Sequence, residues 1–365
     1  MRTLTARPAL RWLVPLAVLL AVLASFLVVS RANAKAPLAD ITAPELLAKV
    51  GQAKVDGLAG TVVQNADLGI PAIPGGSDSA AGKLTSLLSG SHTMRVWYGA
   101  PDQARLAVND EYAETDLITN GTDVWSWDSR AKTATHTTLG AEDKADRKAP
   151  ADAPQTPQQA AAMVIDKITP TTDVRVDKGT AQVAGQDVYT LVLTPKDAGS
   201  LVKQVTLAID GRTFLPLSVK VFGAGDQPAL SVEYSDITYG TQDASNFAFN
   251  PPAGTKLTQK ALPERKEPSK ADKKELEARK AQAEKDTQVV GEGWTSVVVT
   301  KLPGDAAASG NESLKGFLSQ LKPVSGSWGT GRELDGTIVT AILTDDGRLA
   351  VGSVSGDALS QALAR

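Results

Sequence analysis

From about residue 61 to residue 238 the chain keeps returning to a period of two, and it offers only two convincing amphipathic helices to cover the surface this creates. The strands predicted after Thr61–Asn65 follow in close succession. Met94, Val96 and Tyr98 alternate with Arg95 and Trp97, and Ala104, Leu106 and Val108 come after the turn at Gly99-Ala100-Pro101-Asp102. Thr115, Leu117 and Thr119 lead into Asn120-Gly121, a strong two-residue hairpin signal, and Val124 to Asp128 returns. A threonine-rich strand over 132–138 completes this meander. Further strands are predicted over 172–177, 187–194, 201–210, 215–222 and 229–238, and Phe247 and Phe249 end the block. A sheet this large curls rather than staying flat. Two helices can plug its concave side and leave apolar space for a ligand, or the same residues can form an ordinary packed core.

The first helix is signalled by Thr42-Ala43-Pro44-Glu45, a capping box in which Thr42 caps the N-terminus and Glu45 stands three residues on. Leu46, Leu47 and Val50 fall on one face, and the helix is expected to stop near Asp56-Gly57. The second opens at Thr156-Pro157-Gln158-Gln159, with a cap, a proline at the first helical position and an apolar face of Ala160, Met163, Val164 and Ile168. Residues 66–91 read as a long Gly-, Pro- and Ser-rich loop in which Leu84, Leu87 and Leu88 suggest a helical turn. The Lys/Glu-rich stretch 258–290 has no apolar face and reads as a linker. A small α+β block follows, with a strand near Thr295–Thr300, a helix near Glu312–Leu321, a hairpin of Thr337–Leu343 and Arg348–Val354 across Asp345-Asp346-Gly347, and a last helix capped by Asp357. There is no convincing short repeat.

At the N-terminus, Arg2, Arg7 and Arg11 precede an apolar run from Trp12 to Val29, and Ala32-Asn33-Ala34 supplies a small-residue cleavage site. Residues 1–34 therefore read as a signal peptide cleaved after Ala34, or as an uncleaved membrane anchor. The charge bias places the N-terminus inside and the folded part outside the cytoplasmic membrane.

Composition removes several kinds of chemistry. The chain of 365 residues has no cysteine, which excludes disulfides, thiolate metal sites, cysteine nucleophiles and lipidation at a lipobox. Two histidines, His92 and His136, leave almost nothing for a histidine-rich metal site, so no metal and no cofactor is expected. A net charge of −3 argues against a nucleic-acid binder. Ala81-Gly82-Lys83-Leu84 lacks the rest of a phosphate loop, and Gly329-Thr330-Gly331 and Gly291-Glu292-Gly293 lack the third glycine of a dinucleotide fingerprint. Gly352-Ser353-Val354-Ser355-Gly356 has Val354 where a hydrolase elbow has serine. Asp110, Glu111, Glu114 and Asp116 form an acidic cluster that can be read as paired carboxylates for glycoside hydrolysis or, more commonly, as a strand edge or loop. Asn120-Gly121-Thr122 and Asn311-Glu312-Ser313 are formal glycosylation sequons explained equally by a hairpin turn and a helix start.

Five phrases, in order, resemble the LolA/LolB superfamily of lipoprotein carriers, especially its RseB/MucB-like branch. They are Val55-Asp56-Gly57-Leu58-Ala59-Gly60-Thr61-Val62 after a helix, Thr119 to Asp128 around Trp125 and Trp127, and Tyr189-Thr190-Leu191-Val192-Leu193-Thr194-Pro195-Lys196. The other two are Leu207-Ala208-Ile209-Asp210 with Phe214-Leu215-Pro216-Leu217, and Phe247-Ala248-Phe249-Asn250-Pro251-Pro252-Ala253-Gly254. Trp97-Tyr98-Gly99-Ala100-Pro101 lacks the arginine that latches the lid in LolA-type carriers. The resemblance implies an α+β fold, a strongly curved antiparallel half-barrel over 40–257 with helices covering its concave face. A charged linker over 258–290 and a small C-terminal α+β domain over 291–365 would follow. It implies a non-enzymatic extracytoplasmic binding protein that holds a lipid, a lipoprotein acyl chain or a hydrophobic segment. Each buried methylene is worth about 0.8 kcal/mol, so such a ligand needs no catalytic apparatus. The expected cavity lining is Met94, Val96, Tyr98, Trp125, Trp127, Leu191, Leu193, Leu207, Val219 and Tyr234. Two other readings stand beside it: an RseB-like regulator of envelope-stress signalling that binds a membrane anti-sigma factor, and a hydrolase on the same scaffold.

Overall fold

The computed structural model describes residues 38–71, 89–99, 102–110, 113–139, 157–177, 181–261, 275, 282, 285–302 and 312–365. The expected signal or anchor segment, the turn at Leu84, Leu87 and Leu88, Thr156 and most of the expected linker lie outside these residues. The chain divides into two compact units, Met1–Ala39 and Asp40–Arg365, and only Leu38 and Ala39 of the first are described.

Helix α1 (Ala43–Gln52) forms where the capping box placed it. The Glu45 backbone N–H donates to the Thr42 hydroxyl, and the Thr42 N–H donates to the Glu45 carboxylate at 2.9 Å. It ends earlier than expected, because β1 (Gly57–Asp67) begins four residues before Thr61. Gly57 and Gly60 interrupt the apolar alternation, yet both are needed inside the strand. A Cβ at Gly57 would lie 2.6 Å from the Gly240 carbonyl, and one at Gly60 would lie 2.6 Å from the Asp236 carbonyl.

Strands β2 (Ser89–Gly99), β3 (Gln103–Asp110), β4 (Ala113–Asn120), β5 (Asp123–Asp128) and β6 (Thr133–Thr138) follow as an antiparallel meander. Helix α2 (Pro157–Ile168) precedes β7 (Thr172–Asp177), the short β8 (Gln182–Val183), β9 (Gln186–Pro195), β10 (Gln204–Asp210), β11 (Pro216–Phe222) and β12 (Pro228–Tyr239). A last strand, β13 (Lys256–Ala261), pairs parallel to β6. The sheet runs β13-β6-β5-β4-β3-β2-β1-β12-β11-β10-β9-β7, with β8 on β9, and is not closed. β-Bulges shift the register between β1 and β12 at Thr61/Val62 and between β10 and β11 at Ala208/Ile209; such bulges bend and twist the strands that carry them.

The turn after β10 is built on a buried carboxylate. One Asp210 oxygen accepts the backbone N–H groups of Arg212 and Thr213, both at 2.7 Å, and the other accepts the Tyr239 hydroxyl at 2.8 Å. Burial, with help from Asp210, pushes the Tyr239 phenol up to about 12 from 10.0. A phenol held above its unfolded value contributes stability that is complete below pH 10.0 and is lost as pH rises through about 12. Urea midpoints measured across that window should fall more steeply in the parent chain than in Tyr239→Phe.

The second sheet contains β14 (Thr287–Val290), β15 (Val297–Lys301), β16 (Lys322–Gly326), β17 (Gly329–Asp335), β18 (Thr340–Thr344) and β19 (Arg348–Gly352), in the order β14-β15-β19-β18-β17-β16. Strands β16 and β17 escape the period-two reading because Pro323 and Gly326, Gly329 and Gly331 dilute it. Helix α3 (Glu312–Gln320) forms as expected. The last helix, α4 (Gly356–Leu363), is capped by Ser355 rather than Asp357, which stands in its first turn. Leu359, Ala362 and Leu363 of α4 pack with Val297, Trp328, Ile342, Ala350 and Val354 into a separate core. Glu333, 7% exposed, lies so close to the start of α4 that any Cβ at Gly356 would collide with its carboxylate. A negative group there suits the positive end of the helix.

The two sheets touch along the strand ends. Leu201 N–H donates to the Ser353 carbonyl at 2.7 Å, and Thr337 N–H to the Leu68 carbonyl at 2.9 Å. Ile338 packs against Ala66, Leu68 and Ala229.

Candidate functional site

Residues opposite one another in a ladder share a face, so the registers decide which predicted lining residues belong together. Met94 pairs with Val62, Val96 with Gly60 and Tyr98 with Leu58. Val62 in turn pairs with Tyr234, and Gln64 with Val232. Val232 pairs with Val219, Val219 with Leu207, Leu207 with Leu191, and Val205 with Leu193. Met94, Val96, Tyr98, Leu191, Leu193, Leu207, Val219 and Tyr234 therefore lie on one continuous face. Met94 and Leu191 are buried and the other six half-buried. Val96, Tyr98 and Tyr234 pack against one cluster with Leu58, Leu217 and Ile237.

Trp125 and Trp127 do not belong to that face. In the other direction Val96 pairs with Leu106, Leu106 with Leu117, and Leu117 with Ser126. Trp125 pairs with Ile118 and Trp127 with Asp116, which puts both rings on the opposite side. There the segment after β12 covers them. Phe249 lies 5.2 Å from Trp125 and 5.9 Å from Trp127, ring centre to ring centre, and Phe247 is 1% exposed. The tryptophans are packing partners of Phe249, and sequence reasoning put them on the wrong face.

The face that carries these eight residues has further apolar members that sequence reasoning missed. Leu58 and Val62 are buried on it, Leu106 is half-buried, and Leu117 is 49% exposed. The signal for Leu117 was present in the hairpin. A two-residue loop at Gly121-Thr122 pairs Asn120 with Asp123, which sets Leu117 opposite Ser126 and leaves Trp125 on the other side.

Helix α1 meets this same face at its other end. Lys49 Nζ of α1 sits 4.5 Å above the Phe214 ring, which stacks at 6.3 Å on Tyr189, two residues along β9 from Leu191. Phe214 holds a left-handed φ of 60°, a strained conformation for a bulky residue that these two contacts help fix. Helix α2 packs against α1. Its Met163 and Val164 are exposed, whereas Ile165 and Ile168 are half-buried, so its inward side is turned away from the expected Met163 and Val164. A cavity of about 330 Å³ opens between the start of α1 and β7, lined by Asp40, Ile41, Thr42, Glu45 and Val176. Val176 pairs with Leu191 and so faces the same way. Hydrogen bonds from Thr42 hold the Glu45 carboxyl below its ordinary value.

The residues weighed for catalysis have structural partners. Arg105 grips Asp116, 2% exposed, with Nε at 2.9 Å and Nη2 at 3.2 Å. Glu114 is pushed above the ordinary carboxylate value by its hydrogen bond to Asp116, then by burial. His136 Nε2 lies 2.6 Å from Asp123, and its ring stacks 4.1 Å from Trp125. His92 Nε2 lies 3.0 Å from the Ser89 carbonyl. Among the described residues no group of three or more metal-ligating side chains comes together, and no helix is long and apolar enough to cross a membrane.

No known family matches the chain, and no curated protein matches it. Among solved structures the chain is similar to MucB in complex with MucA(peri), at 15% identity over 88% of this chain and 97% of that one, with a TM-score of 0.43. It is similar at the same identity and score to the MucA/MucB complex of Pseudomonas aeruginosa, over 88% of this chain and 96% of that one. A LolA superfamily protein from Nitrosomonas europaea matches at 12% identity over 57% of this chain and 99% of that one, with a TM-score of 0.23. The names are those the sequence phrases resemble; at these scores the likenesses carry no argument about this chain.

Proposed function

We propose that this is a non-enzymatic, exported binding protein whose large sheet curves into a half-barrel under α1 and α2. On that concave face it holds a lipid, a lipoprotein acyl chain or a hydrophobic segment, at the outer side of the cytoplasmic membrane. The observation that supports this reading is the single apolar face running from Leu117 through Met94 and Val62 to Leu191, with half of Leu117 open to solvent. Exposed apolar surface in a recess is where an acyl chain gains most from leaving water.

Mass spectrometry of lipids extracted from the purified full chain tests the reading. Retained or loadable acyl species are expected; a chain that retains none and can be loaded with none defeats it. A sharper test is Leu117→Asp. It should weaken binding of dansyl-undecanoic acid about tenfold, about 1.4 kcal/mol, while changing the unfolding free energy by no more than about 0.5 kcal/mol because Leu117 is already half-exposed. Equal binding by parent and variant would remove Leu117 from the site.

The second sheet, with its own core, is more than a simple carrier needs, and it favours a regulator that contacts a membrane anti-sigma factor. Pull-down from membranes separates the two. A co-purifying transmembrane regulator supports the signalling role, and acyl species alone support the carrier.

A further inference from the structure

We propose that Trp294 and Gly293 form a clasp that couples the apolar face of the first sheet to the seating of the second. The proposal rests on the binding role above. Trp294 Nε1–H donates to the Thr172 hydroxyl at 2.8 Å, and Thr172 is 1% exposed. Beside it Gly293 has a φ of 57°, and any Cβ there would lie 2.6 Å from the Thr171 side chain. The chain entering the second sheet is thus seated tightly on two consecutive threonines.

Those threonines are the end of the helix layer. The Thr169 N–H donates to the Ile165 carbonyl and the Thr171 N–H to the Ile168 carbonyl, so α2 runs into Thr171 without slack. Lys196 ties the same stretch to the end of β9, through its N–H to the Thr171 carbonyl at 2.9 Å and its Nζ to the Thr169 carbonyl at 2.7 Å. Thr172 then starts β7, whose Val174 and Val176 lie on the Leu191 face. A guest that wedges between this face and α1, which packs on both β7 and α2, moves the segment on which Trp294 sits. Packed elements joined this tightly shift between discrete arrangements rather than deforming smoothly.

Coupling of this kind is reciprocal: whatever loosens the clasp must favour the guest by the same factor. The test uses the full chain, dansyl-undecanoic acid as probe, and hydrogen exchange read at residues 292–296. In the parent chain the probe should raise exchange there at least about fivefold. Trp294→Phe keeps an aromatic ring and removes the donor; Thr172→Val removes the acceptor in nearly the same volume. Each should exchange fast without probe, respond little to it, and bind it about fivefold more tightly. Thr172→Val serves if Trp294→Phe does not fold. Thr337→Val is the control, since its hydroxyl joins the sheets elsewhere, at the Asp67 carbonyl, and it should keep the parent response. Probe binding that leaves residues 292–296 silent overturns the clasp and leaves the binding role standing. A Thr337→Val chain that behaves like the clasp variants overturns it in favour of general loosening. Absence of probe binding to the parent chain overturns both.

Discussion

Phe247→Ala is expected to cost about 3–5 kcal/mol of unfolding free energy, the usual range for emptying a fully buried phenylalanine site. Phe247 is 1% exposed and ends a short 3-10 turn, Ala244–Phe247, capped by Asp243. The Ser245 N–H donates to the Asp243 carboxylate at 2.8 Å, which holds that carboxyl below its ordinary value. The ring stands over Gly99, where a Cβ would come within 3.0 Å of it. This contact pins the segment that lays Phe249 on Trp125 and Trp127. Truncating Phe247 therefore opens a cavity and frees the cover of two tryptophans. Urea unfolding should show the loss in midpoint, and tryptophan emission of the folded state should shift to the red as Trp127 becomes wet. Leu257→Ala, at an edge-strand residue 44% exposed, should cost no more than about 0.5 kcal/mol. If Phe247→Ala costs less than about 1 kcal/mol, the segment is not the cover described above.

Asp210→Ala should cost about 3 kcal/mol, because it removes one buried acceptor and strands three donors. Two of those donors are the Arg212 and Thr213 backbone N–H groups that shape the β10–β11 turn, and the third is the Tyr239 hydroxyl. Asp210→Asn keeps one carbonyl oxygen and should recover about half of the loss. Because Asp210 and Tyr239 touch, Asp210→Ala and Tyr239→Phe should not add: the double variant should be at least about 0.5 kcal/mol more stable than the sum predicts. Strict additivity would mean that the contact contributes nothing. The turn also aims Phe214 at Tyr189, so its loss should loosen α1 from the Leu191 face.

Much of the architecture was legible in the residues. Alternation located the long strands of the first sheet to within a few residues, since a half-buried strand must place apolar groups every second position. The capping box placed α1 because Thr42 and Glu45 satisfy each other locally. Where the signal was diluted, the reading failed. Glycines at 57 and 60 dilute the alternation at the start of β1, and both are strand residues where neighbouring backbones approach closely. Pro323, Gly326, Gly329 and Gly331 hid β16 and β17. Strand β13 runs from the end of the expected half-barrel into the first residues of the expected linker, because a parallel partner so far back in the chain, Thr133–Thr138, leaves no local trace.

The apolar face proposed for the ligand shows the same division. Alternation by itself determined that Met94, Val96 and Tyr98 share a side, and that Leu191 and Leu193 do. Which side of the sheet those strands present depends on register, and a shift of one residue inverts a face. Trp125 and Trp127 have the clean alternation of lining residues, yet the sequence alone holds no local sign that Phe249, more than a hundred residues later, lies across them. Where the alternation is undiluted, strand identity is a short-range property of spacing, and there the sequence determined it. Which apolar face is covered and which stays open is a long-range property of packing, and only the tertiary structure decided that.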